Sequence, residues 1–163
     1  MVSQDRGCVI HFCRHLLYLD FFHQNMMALE IEKYGFVING LQHVTGKESL
    51  DILKEEGYML DVRPDFESVK LMNIEHILYC PYDEIKEHYN ELPHDTWLIL
   101  ADAVGLRSKE IALFLKEKGF SYILHLAGGV VEWERDGLSV TLDKSRRLTG
   151  SCMCQLKQRE IKK

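Results

Sequence analysis

The chain has 163 residues, 46% of them hydrophobic and 28% charged, with three prolines and a formal net charge of −5. That length suits one core with an extension, and the acidic balance excludes nucleic-acid binding as a general role. From Lys144 onward seven basic residues stand against one acid, Glu160, while the residues before them carry 13 bases and 24 acids, a net −11. The expectation is an acidic body with a solvated basic tail docked on its surface.

Five cysteines (Cys8, Cys13, Cys80, Cys152 and Cys154) form no disulfide framework for a chain of this size, and the odd count fits a reducing, cytoplasmic setting. The stretch from Gly7 to Phe22 is apolar but interrupted by Arg14, His15 and Asp20. It is too short and too polar to span a membrane, and it lacks the basic start and small-residue cleavage site of a signal peptide. Residues 1–40 are therefore read as an N-terminal extension, either a helix covering apolar surface or a segment ahead of an alternative start at Met26–Met27. Cys8, His11, Cys13 and His15 lie too close together for the paired, separated layout of a structural zinc site, so no metal is assigned.

From Leu41 the pattern is regular. "LQHVT" reads as a strand and "GKESLDILKEEG" as a helix stopped by Gly57. "YMLDVR" is a buried strand closed by Pro64, and "HILYC" the next, followed by Pro81 and a helix "YDEIKEHYNEL" ending before Pro93. "WLILA" is a third apolar strand. "SKEIALFLKEKG" is an amphipathic helix with Ile111, Phe114 and Leu115 inward, and "YILHL" the last strand before Gly128-Gly129 and a short helix "VVEWERDG". Strands alternating with helices predict an α/β fold with a central parallel sheet and helices on both faces.

Ligands in such sheets bind beyond the carboxyl ends of strands, where the chain turns into a helix. The segment Asp102, Ala103, Val104, Gly105, Leu106 and Arg107 occupies such a place. Gly105 permits a positive φ, so successive amides can curl into an anion-binding nest. The helix starting near Ser108 adds free donors, and Arg107 adds a cation with fork geometry. This predicts a pocket for one negative group.

Three blocks in order, "DVRPDFES", "ADAVGLRSKEIALFLKEKGF" and "ILHLAGGVVEWERDGL", resemble the signature segments of the rhodanese domain over about Leu41 to Leu142. The resemblance divides the chain into the extension 1–40, a rhodanese-like three-layer domain 41–142 and a basic tail 143–163. It implies transfer of sulfane sulfur through a persulfide on the cysteine of a Cys-x-x-x-x-Arg loop. Laid on this chain, that cysteine falls on Asp102 and the arginine on Arg107. A carboxylate cannot accept and return sulfane sulfur, so Asp102 is expected to be the pocket's own anion, and thiosulfate chemistry at the loop is not expected. The related dual-specificity phosphatases need a cysteine nucleophile as well. An aspartyl nucleophile or general base is chemically possible, yet neither a magnesium-binding acid cluster nor a partnered histidine is recognisable nearby.

Asp61 and Arg63 are expected to pair and brace the loop, while Glu67, Trp133 and Gly128-Gly129 are read as structural and Cys80 as packed in the core. Cys152 and Cys154 have basic neighbours that favour thiolate. Two functions follow: a non-catalytic module that binds a protein partner or a small anion in sulfur or redox traffic, or a sulfur carrier that uses Cys152 or Cys154. Neither calls for a cofactor, nucleic acid or a membrane.

Overall fold

The computed structural model of the chain describes residue 31 and residues 33–143, residue 56 excepted. The expectations for most of the extension, including Cys8, His11, Cys13 and His15, and for the tail with Cys152 and Cys154, lie outside the described residues.

Six strands form one sheet: β1 (Phe36–Ile38), β2 (Leu41–Val44), β3 (Gly57–Asp61), β5 (Ile77–Tyr79), β6 (Trp97–Ala101) and β7 (Ile123–Leu126). Their spatial order is β1-β2-β7-β6-β3-β5, parallel throughout except for the antiparallel edge pair β1–β2. Every residue of β6 is buried, as a strand enclosed on both faces and both edges requires. Helices α1 (Gly46–Glu55), α2 (Ile85–His88), α3 (Arg107–Glu117) and α4 (Gly129–Arg135) complete the α/β architecture. Ser108, Ile111, Ala112 and Leu115 of α3 are buried at one-turn spacing, and the last three belong to the main core with Leu60, Leu98, Leu100 and Ile123; Phe114 packs at its margin.

Three features depart from the sequence reading. The sheet takes in Phe36–Ile38, assigned above to the extension; Asn39 (φ +51) and Gly40 (φ +73) close a hairpin there, so the Asn-Gly pair is the signal that identifies it. The helix expected over 82–92 is only α2 followed by a 3-10 turn at Tyr89–Glu91, because Leu92, held extended ahead of Pro93, ends helical geometry. Finally, β4 (Lys70–Met72) and β8 (Val140–Leu142) pair as a separate antiparallel ribbon. Three-residue strands this distant in sequence leave no periodic trace.

The topology sets the site. Ala101, at the end of β6, lies beside Asp61 of β3, and Leu100 lies beside His125 of β7. The loop after β6 therefore emerges between a carboxylate strand and a histidine strand.

Candidate active-site loop

The loop's amides converge on its own first side chain. Asp102 Oδ1 accepts hydrogen bonds from the Gly105 N–H and, at 3.2 Å, from the Ser108 hydroxyl, while Oδ2 accepts from the Arg107 N–H at 2.8 Å. Asp102 is 3% exposed. The nest forms because Gly105 adopts φ +87, and a Cβ there would press on the His125 ring at 3.1 Å. Val104 and Leu106 point outward, and Ala103 is half-buried.

The backbone of the loop is tied down from α4. The Val130 N–H donates to the Asp102 carbonyl at 2.9 Å, and the Val131 N–H to that of Ala103 at 3.0 Å. That approach requires Gly129: its φ is +60, and a Cβ would lie 2.4 Å from the Asp102 carbonyl oxygen. Gly128-Gly129 thus has the structural role expected of it, and Trp133 on the same helix is buried.

Arg107 corrects an expectation. Its backbone N–H serves Asp102, but its guanidinium hydrogen-bonds Glu67 instead. Nη1 donates to both carboxylate oxygens of Glu67 at 2.8 Å, and the guanidinium lies 4.8 Å from the Tyr82 ring centroid. Glu67 raises the Arg107 pKa further, so the cation is permanent. Glu67 is more than structural scaffolding: it holds the loop's arginine. Its distance of 40 residues from Arg107 hides the pairing in the sequence. Asp61 and Arg63 do pair, at 2.6 Å and almost fully buried, and Arg63 Nη2 also donates to the Lys70 carbonyl at 2.8 Å.

A partnered histidine, not recognised in the sequence, lies beneath the loop. His125 Nε2 is 3.0 Å from the Gly105 carbonyl and its Nδ1 is 2.8 Å from His43 Nδ1. The carbonyl only accepts, so His125 Nε2 carries the proton, and His43 Nδ1–H donates to His125 Nδ1. His43 Nε2 is then left buried without a hydrogen-bond partner among the described residues. Burial first, then the neighbouring His43, pushes the His125 pKa down to about 4. The pair is thus neutral at pH 7 and aims at backbone, not at Asp102.

Cys80 is half-buried against the core, and burial, with Glu84, Glu91 and Asp83 nearby, raises its thiol pKa. It is the wrong environment for a thiolate. Among the described residues, no three His, Cys, Asp or Glu side chains gather as a metal site, and no helix is long and apolar enough to cross a membrane.

A family model described as the rhodanese-like domain matches residues 45–136, more than half of the chain. The chain belongs to the rhodanese-like domain family. The rhodanese-like fold is shared with a rhodanese-related protein from Thermoplasma volcanium, at TM-score 0.56 and 27% identity over 62% of this chain and 98% of that one. A sulfurtransferase from Allochromatium vinosum is 29% identical over 86 residues, 53% of this chain and 79% of its own. The thiosulfate sulfurtransferase GlpE of Actinobacillus succinogenes is 29% identical over 98 residues, 58% and 86% of the two chains.

Proposed function

We propose that this rhodanese-like domain does not transfer sulfur at its loop and acts instead as a binding or regulatory module in sulfur or redox traffic, in a reducing, cytoplasmic setting. Asp102 occupies the position where the family's loop cysteine forms its persulfide. The observation that carries the reading is that the Asp102 carboxylate takes up the nest's donors, the amides of Gly105 and Arg107 and the Ser108 hydroxyl. Those are the groups that would stabilise a persulfide or an incoming oxyanion. A carboxylate oxygen offers no electron pair able to carry sulfane sulfur reversibly, and Asp102 opposes thiosulfate by like charge. The sulfurtransferase names of the relatives define the activity against which this is measured.

The test is thiosulfate with cyanide as acceptor, together with the intact mass after thiosulfate alone. Thiocyanate is expected at the no-enzyme rate and no sulfur adduct on the wild-type chain, whereas Asp102→Cys gains one sulfur atom because the nest is already built. Wild-type turnover above background overturns the reading. The alternative, sulfur carried by Cys152 or Cys154, predicts a wild-type adduct that disappears in the Cys152→Ala/Cys154→Ala double variant.

A further inference from the structure

A cavity of about 480 Å³ opens beside the loop, between α4 and the β4–β8 ribbon. That is the volume range of small-molecule sites. Its walls are apolar: Val69, Val130, Val131 and Leu142, with Ala103 of the loop at one side. Val131 and Leu142 are among the large exposed apolar side chains, so they form the open mouth. Its charged lining is balanced. Lys70 pairs with Glu134, and Glu67 is held by Arg107.

One cation lies deeper. Arg63, 2% exposed, lines the cavity. Its Nε and Nη2 are committed to Asp61 and to the Lys70 carbonyl, and its Nη1 has no hydrogen-bond partner among the described residues. A guanidinium fixed on one edge and open at its remaining nitrogen is a preorganised donor for a planar oxyanion, and a hydrogen bond between two charged groups is about twice as strong as a neutral one.

We infer that this cavity is a binding site for a small aliphatic carboxylate, its head on Arg63 Nη1 and its chain along Val69, Val130, Val131 and Leu142. The inference deepens the binding-module reading, but the ligand does not touch Asp102, so its failure leaves the absence of sulfur transfer standing and the two are measured separately.

Octanoate is the probe, titrated into the full chain with amide chemical shifts as readout. Saturable shifts are expected at Ala103, Val131 and Leu142, with octanol, which lacks the charge, binding at least tenfold more weakly. Val131→Glu, at an exposed position, is expected to keep the wild-type melt and weaken octanoate at least tenfold. Arg63→Lys, whose melt is expected to fall because its buried bonds to Asp61 and the Lys70 carbonyl are lost, weakens octanoate at least tenfold at temperatures below that melt without altering the apolar wall. Absence of shifts at these amides, octanol binding as tightly as octanoate, or undiminished binding by Val131→Glu overturns the proposal.

Discussion

Asp102 accepts three hydrogen bonds, two from amides and one from a hydroxyl, in a place almost closed to water. Asp102→Asn keeps the volume but turns an amide NH2 toward one of those donors. The expected loss is on the order of 1–3 kcal/mol at neutral pH, the cost of leaving a charge-assisted donor unpaired. Urea midpoints measure it; an equal or higher midpoint would show that the carboxylate is not the nest's resident anion. Because the side chain itself fills the nest, an added ion has no room beside Asn. Asp102→Gly makes that room, and sulfate at matched ionic strength is expected to stabilise this variant more than wild type.

At the scale of elements, the loop is gripped from two sides. From α4, Gly129 lets two amides reach the loop carbonyls. Gly129→Ala forces both a positive φ on a residue with a Cβ and a backbone overlap, and is expected to cost at least about 2 kcal/mol. A urea midpoint within error of wild type would refute that account. From β7 and β2, the neutral His125–His43 pair supports the Gly105 carbonyl. The folded His125 pKa of about 4 lies below its unfolded value of about 6.5, so across that window the unfolded chain binds a proton that the folded one refuses. Stability from this group is full above about pH 6.5, falls as the pH drops, and levels off below about 4, a loss of up to about 3 kcal/mol. His125→Gln lacks that loss, so its stability relative to wild type is expected to improve steadily from pH 7 to 4.5. Parallel pH curves for the two proteins would sink the assignment.

At the scale of the whole described domain, the central strand β6 joins the two halves of the sheet, and Leu100 is fully buried in the core that packs α3 against it. Leu100→Ala is expected to cost about 2–5 kcal/mol through lost burial and the cavity left behind. If residues 35–143 unfold as one cooperative unit, the urea midpoint falls while the slope of the transition stays that of wild type. A shallower slope or a second transition would mean that the sheet does not unfold as one.

The sequence alone determined whatever depends on neighbours in the chain. Apolar runs such as Trp97–Ala101 bury wherever they pair, and helix α3 follows from one-turn apolar spacing. Three ordered motif blocks carried the family, and the short span from Asp102 to Ser108 was enough to foresee a carboxylate in an amide nest. Even the missed β1 hairpin had a local signal in Asn39-Gly40. What tertiary structure alone decided are relations between residues far apart in sequence. The Arg107 guanidinium bonds Glu67 and not Asp102 because Glu67, 40 residues earlier, offers both carboxylate oxygens in a partly dry setting. His43 and His125 meet only because β2 and β7 are adjacent in the sheet, although 82 residues separate them. The cavity beside the loop exists because β4 and β8, each too short to announce itself, close against each other. Such pairings are set by strand order and packing, and side-chain type along the chain carries no record of which distant group will be opposite.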